Sequence, residues 1–295
     1  NPLLSLADAE VYSVPLLLVI GWRGETGVHD EPQHKKQGRV MLSMLDAMEI
    51  PYSIVGPEVN AAEVALSDAL TYVQKHSAPF ALVIKKGTFS TFTGDKRDTV
   101  SFELTREAAI QQVLEFLDKR AVVVSTTGMA SREVYEHRVK KEQGHERDFL
   151  TVGGMGHASQ IALGVALQQP DRSVYCLDGD GALLMHMGAL PIAGALRPEN
   201  FKHIVLNNGA HDSVGGQPTV GLNIDILGIA RACSYRLVLQ AETPQELQAC
   251  LKELQHSKGP CLLEIRIRRG ARKDLGRPAT TPVENKHAFM KFIQG

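Results

Sequence analysis

Two short polar motifs, separated by one helical segment and one apolar strand, constrain the fold of this chain most strongly. The acidic turn 179–181, Gly-Asp-Gly, follows the apolar run 174–177 and opens a helical segment. The pair 207–208, Asn-Asn, ends the next apolar run, HIVL. In an open parallel sheet the carboxyl ends of neighbouring strands meet at one edge, where such folds bind their ligands. We therefore predict that Asp180 and Asn208 lie close together at that edge.

The side chains at this edge are suited to a hard cation. Mg²⁺ prefers oxygen ligands and commonly takes one or two from the protein and the rest from phosphate groups and water. Asp180 offers a carboxylate and Asn208 an amide oxygen, and a bend after the pair would turn the carbonyl of Ala210 toward the same point. The amides of Gly181 and Ala182, at the start of a helix, can hold a diphosphate. Either motif alone is equally a turn or a helix cap, but their spacing favours a metal-bridged diphosphate.

Strand-like and helix-like segments alternate along the chain, which indicates parallel α/β structure. The part up to residue 86 offers about three strands, whereas a complete doubly wound domain has about five or six. A run of turn formers without periodicity follows it, and a full alternation of helices and strands comes next. We predict an α/β protein with two parallel-sheet domains, an incomplete one over 1–90 and a complete one over 105–295, joined by a linker over 91–104.

The composition excludes several classes of function. A net charge of −1 over 295 residues gives no general attraction for nucleic acid. The longest apolar run, Val14–Trp22, contains a proline and a glycine and is far shorter than the roughly 20 residues of a membrane-spanning helix. The four cysteines have neither metal-ligand nor disulfide spacing, so we expect reduced thiols and a cytoplasmic location.

Further stretches carry a resemblance to a known family. They are GWRGETGVHDEPQHKKQGR (21–39), TTGMASREVYE (126–136), VGGMGHASQIALGVAL (152–167), LNNGAHDSVGGQPT (206–219) and GARKDLGRPATTP (270–282). Together with the two polar motifs, they resemble the sulfopyruvate/phosphonopyruvate decarboxylase family of thiamin diphosphate-dependent enzymes over essentially the whole chain. The resemblance implies that 1–90 is the C-terminal part of a pyrimidine-binding domain and that 105–295 is a diphosphate-binding domain.

The activity that the resemblance implies is the Mg²⁺-dependent, non-oxidative decarboxylation of a 2-oxo acid. Phosphonopyruvate, giving phosphonoacetaldehyde and CO₂, is the expected substrate, and sulfopyruvate is the alternative. The resemblance also implies self-association, with active sites between subunits. No nucleic acid or membrane partner is expected.

The resemblance assigns roles to individual residues. The implied Mg²⁺ ligands are Asp180, Asn208 and the carbonyl of Ala210, and the implied neighbours of the cofactor are Thr127, Gly128, Gly153, Met155, Gly181 and Ala182. Of these, Met155 matches an apolar wedge that holds the cofactor bent, although by itself it is equally a core residue. Implied proton-transfer groups are His29, His34 and His211, although the stretch 29–34 is equally a polar surface loop.

Candidate substrate contacts are Ser213 and Gln217, which follow the asparagine pair, and a cationic clamp formed by Arg272 and Lys273. A dianionic substrate needs such cations, but charge runs after a last strand are more often a solvated face.

One element of the family is missing from this sequence. Relatives carry a glutamate in the first domain that contacts a cofactor bound by another subunit. Glu10, Glu25 and Glu31 all lie in the wrong segments for that role. We therefore expect the chain to lack about half of its first domain and to be inactive by itself, whereas the full-length protein is expected to be a decarboxylase. A non-catalytic cofactor-binding subunit is the competing hypothesis.

Overall fold

The computed structural model describes residues 1–91 and 101–295. The chain divides into two compact units, Asn1–Lys96 and Arg97–Gly295. Residues 92–100, the larger part of the predicted linker 91–104, lie outside the described residues. Within the described ranges, no helix is long and apolar enough to cross a membrane.

The first unit contains a three-stranded parallel sheet with strand order β1-β3-β2. Its strands are β1 (Leu16–Gly21), β2 (Tyr52–Val55) and β3 (Pro79–Ile84), and its helices are α1 (Pro2–Ser5), α2 (His34–Ala47) and α3 (Val59–His76). The central strand β3 is buried at every position, as its unbroken apolar sequence predicts. Alternate side chains of β3 pack on opposite faces, for example Leu82 with Val73 of α3, and Val83 with Leu45 of α2. The expected sheet of about three strands is confirmed.

The second unit contains a six-stranded sheet with strand order β10-β11-β7-β6-β4-β5, in which every pairing is parallel. Its strands are β4 (Val122–Ser125), β5 (Asp148–Leu150), β6 (Val174–Gly179), β7 (Phe201–Asn207), β10 (Leu237–Ala241) and β11 (Cys261–Arg266). A separate antiparallel pair is formed by β8 (Ala210–His211) and β9 (Gln217–Pro218). The parallel α/β fold predicted from the sequence is confirmed.

Helices cover both faces of this sheet. They are α4 (Arg106–Phe116), α5 (Met129–Lys140), α6 (Ala158–Gln168), α7 (Asp180–Met185), α8 (Ala189–Leu196), α9 (Ile226–Ala232), α10 (Pro244–His256) and α11 (Pro282–Gln294). One apolar cluster joins the sheet to α4, α5 and α10, and a second joins it to α6, α8, α9 and α11. Strand β7 contributes Ile204 and Leu206 to the first cluster and Val205 to the second, because successive side chains of a strand point to opposite faces.

The strand order reverses direction between β4 and β6. From β4 the chain moves outward to β5, and from β6 it moves in the opposite direction to β7. Open α/β sheets bind ligands in the crevice at such a reversal, outside the carboxyl ends of the strands. The segments that follow β4, β5, β6 and β7 are therefore the ones positioned to form a site.

Candidate active site

Asp180 and Asn208 lie together at the carboxyl edge of the second sheet. Strands β6 and β7 are direct neighbours, with Gly179 in register with Leu206, so the residues that follow them meet. The Asn208 backbone N–H donates to Asp180 Oδ1 at 3.4 Å, and the Thr219 hydroxyl donates to Asp180 Oδ2. Asp180 is almost fully buried.

The environment of Asp180 fits a divalent cation. Its contacts are the Thr219 hydroxyl and backbone N–H groups, which are neutral. Burial raises the pKa of this carboxyl, and the Thr219 hydrogen bond offsets the rise only in part. A buried carboxylate with neutral partners carries a charge that costs free energy, and a bound cation would compensate that charge.

The turn after β7 orients the asparagine pair. Gly209 adopts a φ of 62°, in the left-handed region that favours glycine, and its N–H donates to Asn207 Oδ1 at 3.1 Å. The Asn208 side chain donates through Nδ2 to Asp212 Oδ2 at 2.7 Å, and its Oδ1 accepts from the Ala210 N–H at 2.9 Å. The predicted bend between Asn208 and Ala210 is therefore present.

Gly181 lies where two other segments converge on the start of α7. A Cβ atom at this position would lie 2.5 Å from the His211 ring and 3.3 Å from Met155 Cε. The imidazole and the thioether therefore both approach the backbone amides that were predicted to hold a diphosphate. A residue with a side chain would collide with the His211 ring, so the close packing of these three segments requires glycine at this position.

The loops after β4 and β5 complete the same edge. Gly128 adopts a φ of 95°, and a side chain there would collide with the Ser213 hydroxyl. The Gly153 N–H donates to Thr127 Oγ1 at 3.1 Å, which joins the β4 loop to the loop that carries Met155. All of the residues predicted to contact metal or cofactor thus lie in the second unit, on the segments that follow four neighbouring strands.

The other two histidines predicted to transfer protons, His29 and His34, lie in the first unit. Asp30 accepts from Arg23 Nε at 2.8 Å, from the Gly24 N–H at 2.8 Å and from His34 Nδ1 at 2.9 Å. The hydrogen bond from Arg23 holds the pKa of Asp30 well below its usual range, despite an opposing effect of burial. His34 therefore has an ionised carboxylate as its partner, whereas His29 is exposed.

The predicted cationic clamp divides into two residues with different surroundings. Arg272 forms ion pairs with Glu107 and Asp274, each at 3.1 Å, and with Glu136. These contacts fix its loop to α4 and α5. Lys273 is exposed. It lines a pocket of about 300 Å³, whose other lining residues are Met129, Arg132, Asp212, Gly270, Ala271, Arg272 and Leu275. Ser213 and Gln217 are both exposed.

Asp212 is a site residue that the sequence pattern does not reveal, because a turn former is the expected role at its position. Its Oδ2 accepts from Arg106 Nη1 at 3.2 Å and from the Gly270 N–H at 2.8 Å, in addition to the Asn208 amide. Arg106 in turn pairs with Glu133 at 2.8 Å. These partners come from distant parts of the chain, so no local motif signals the contact.

Comparisons with known proteins agree with this geometry. Residues 126–265 match the family described as thiamine pyrophosphate enzyme, C-terminal TPP binding domain. The chain is 34% identical to the phosphonopyruvate decarboxylase of Streptomyces viridochromogenes, over 99% of this chain and 76% of that protein. It is 33% identical to the protein of the same name from Streptomyces hygroscopicus, over 99% and 75%. It is 31% identical to sulfopyruvate decarboxylase subunit beta of Methanocaldococcus jannaschii, over 63% of this chain and 95% of that protein.

Proposed function

Because this chain belongs to the phosphonopyruvate decarboxylase family of thiamin diphosphate-dependent enzymes, we propose that it converts phosphonopyruvate into phosphonoacetaldehyde and CO₂ with the help of Mg²⁺. The carboxylate leaves as CO₂ and a proton takes its place on the carbonyl carbon, so there is no net oxidation. Thiamin diphosphate, when bound, supplies the electron sink for this step. The observation that carries the proposal is the buried Asp180 carboxylate beside Asn208 at the sheet edge.

The residues of the second unit hold metal and cofactor in this proposal. The Mg²⁺ ligands are the Asp180 carboxylate, the Asn208 amide oxygen and the Ala210 carbonyl. Diphosphate contacts are Thr127, Gly128, Gly181 and Ala182, and pyrimidine and thiazolium contacts are Gly153 and Met155. The convergence of four loops at one edge supports this set, because each loop follows a different neighbouring strand.

His211 is the proposed proton donor or acceptor nearest the cofactor. Its imidazole lies against Gly181, at the start of the helix whose amides face the diphosphate. Imidazole groups are common general acids and bases in enzymes. His29 and His34 are proposed as further proton-transfer groups on the first unit, where Asp30 orients the His34 ring.

Lys273 is the proposed cation for the substrate dianion. Lys273 lines the pocket beside Asp212 and is exposed, so its ammonium group can reach a phosphonate. Arg272, which is engaged by three carboxylates, holds the loop in place for Lys273. Ser213 and Gln217 are the proposed hydrogen-bonding contacts of the substrate.

An assay with the purified full-length protein, thiamin diphosphate and Mg²⁺ tests the proposal. We expect CO₂ release from phosphonopyruvate at a higher kcat/KM than from sulfopyruvate, and a raised KM for phosphonopyruvate in a Lys273→Ala variant. Faster turnover of sulfopyruvate would instead establish the alternative substrate. Calorimetry that shows tight Mg²⁺-dependent cofactor binding without turnover of either acid would establish the non-catalytic role. Absence of Mg²⁺-dependent cofactor binding would overturn the site itself.

A Gly181→Ala variant tests the phosphate cradle separately from the substrate. The added methyl group must displace the His211 ring or Met155, and overpacking of this kind costs about 1–3 kcal/mol. We expect the melting temperature of the protein without ligands to fall for that reason. We also expect the affinity for thiamin diphosphate in the presence of Mg²⁺ to fall in isothermal titration calorimetry, because the displaced imidazole or thioether disturbs the proposed diphosphate site.

Gly164→Ala is the matched control for that variant. Gly164 lies in α6, is exposed, and has no heavy atom within 4 Å of its added methyl group. Alanine is favoured over glycine inside a helix by about 1 kcal/mol, so this variant should be slightly more stable and bind the cofactor normally. Wild-type cofactor affinity in Gly181→Ala would contradict the placement of the diphosphate.

We also propose that the protein self-associates, with active sites between subunits. The support is indirect: a relative is named as a subunit of sulfopyruvate decarboxylase. Sedimentation analysis of the protein with and without cofactor measures the state directly. A monomer at assay concentrations that retains full activity would contradict the proposal.

A further inference from the structure

One oxygen atom of the Asp212 carboxylate accepts three hydrogen bonds. Oδ2 accepts from Asn208 Nδ2 at 2.7 Å, from the Gly270 N–H at 2.8 Å and from Arg106 Nη1 at 3.2 Å. Its side chain is only 13% exposed. A carboxylate shielded in this way and held by three donors keeps a fixed position, so the groups that bond to it are also fixed.

The chemistry of this contact determines which way the Asn208 amide faces. A carboxylate only accepts hydrogen bonds, so the group that Asn208 presents to Asp212 must be the NH₂ end of its amide. The amide oxygen consequently points away from Asp212, where it accepts from the Ala210 N–H at 2.9 Å. The Ala210 N–H favours the same orientation, and Asp212 adds the acceptor for the NH₂ end. Without Asp212 only the Ala210 N–H would oppose an exchange of the two ends of the amide, which have nearly the same shape. Only one of the two orientations offers oxygen to a cation.

A buried ion pair anchors Asp212 in turn. Arg106 bonds to Glu133 through Nε at 2.8 Å and through Nη2 at 3.1 Å, and its Nη1 reaches Asp212. Both Arg106 and Glu133 are buried. The guanidinium therefore joins α4 and α5 to the loop after β8.

We propose that Asp212 is a positioning residue, which sets the orientation of the Asn208 amide so that its oxygen is available to Mg²⁺. The inference rests on the proposed function, because it assumes that Asn208 binds the metal. Partners that orient metal ligands typically contribute about 10- to 100-fold to metal affinity. An Asp212→Ala variant should therefore lose Mg²⁺ affinity by about that factor, although Asp212 does not itself contact the ion.

The experiment measures the Mg²⁺ concentration that half-saturates thiamin diphosphate binding, by isothermal titration calorimetry, together with the melting temperature of the protein without ligands. Asp118→Ala is the matched control, since Asp118 Oδ1 also accepts two hydrogen bonds but lies before β4, at the opposite end of the strand. The control should lower the melting temperature without changing the Mg²⁺ requirement.

If Asp212→Ala fails to fold, the variant Asp212→Asn takes its place. It keeps the shape of the side chain but removes the charge paired with Arg106, and it is expected to raise the Mg²⁺ requirement.

A double variant separates a positioning role from a general structural role. If Asp212 acts through Asn208, adding Asp212→Ala to Asn208→Ala should change the Mg²⁺ requirement by less than about 2-fold, because coupled residues are not additive. A further 10-fold loss in that background would show that Asp212 acts by another route and would overturn the inference. Wild-type Mg²⁺ affinity in Asp212→Ala would overturn it as well. Failure of the wild-type protein to bind cofactor and Mg²⁺ would instead reject the proposed function.

Discussion

Replacing Asp180 with asparagine is expected to abolish Mg²⁺-dependent cofactor binding while leaving the protein without ligands at least as stable as before. A direct ligand should contribute more than the partners that orient ligands, so we expect the cofactor affinity at fixed Mg²⁺ to fall by at least about 100-fold. The free energy of unfolding without ligands is expected to stay the same or rise. Burial raises the pKa of the Asp180 carboxyl, so its ionised form costs free energy in the folded state at neutral pH. The neutral amide removes that cost, and its one oxygen can keep the hydrogen bond from Thr219 in exchange for the longer one from the Asn208 N–H.

Calorimetry measures both effects, as titration with thiamin diphosphate and as thermal unfolding without ligands. Asp225→Asn is the matched control, since Asp225 caps α9 through a hydrogen bond from the Gly228 N–H, and asparagine caps helices equally well. The control removes the same charge from the same unit and should bind cofactor normally. An Asp180→Asn protein with normal Mg²⁺-dependent binding would reject the metal site on which the proposed function rests.

Replacing Arg138 with methionine is expected to destabilise the second unit by about 3–5 kcal/mol. Arg138 and Asp148 are fully buried and form two hydrogen bonds, Nε to Oδ2 at 2.9 Å and Nη2 to Oδ1 at 3.0 Å. The variant leaves the Asp148 carboxylate buried and without this partner. Because the only tryptophan, Trp22, belongs to the first unit, denaturant unfolding should be followed by far-ultraviolet circular dichroism.

Two controls isolate the buried charge as the cause of this loss. The double variant Arg138→Met with Asp148→Leu removes both charges and should recover most of the lost stability, because well-packed apolar groups often replace a buried ion pair without penalty. Arg236→Met breaks an exposed pair with Glu199 at 3.2 Å and should cost less than about 1 kcal/mol. A double variant as unstable as Arg138→Met alone would contradict this explanation.

The Arg138 pair also explains why α5 is hard to predict from the sequence. The buried face of this helix is largely polar, with Ser131, Glu133, His137 and Arg138 among its buried residues. Hydrophobic periodicity, the main signal for an amphipathic helix, is therefore weak. The partner strand β5 has only three residues and begins with Asp148, so it too lacks the apolar run that marks β6 and β7.

The predicted substrate clamp shows a second limit of sequence patterns. Arg272 and Lys273 are adjacent basic residues in a glycine-bounded loop, and the sequence offers no way to distinguish them. Arg272 bonds to Glu107 and Glu136, which lie 165 and 136 residues earlier in the chain. Such contacts are set by the packing of α4 and α5 beside the loop, which local sequence does not encode.

The sequence by itself determined the parallel α/β fold and the meeting of Asp180 with Asn208. Each motif ends an apolar strand, and consecutive strands are commonly parallel neighbours, which carries their ends to one edge of the sheet. Only the tertiary structure decided the surroundings of that edge. Asp212 accepts a hydrogen bond from the Asn208 amide, the His211 ring packs against Gly181, and Arg272 forms ion pairs with carboxylates. Strand formation follows from the order of nearby residues, whereas the partner of a polar side chain depends on which distant segments pack against it.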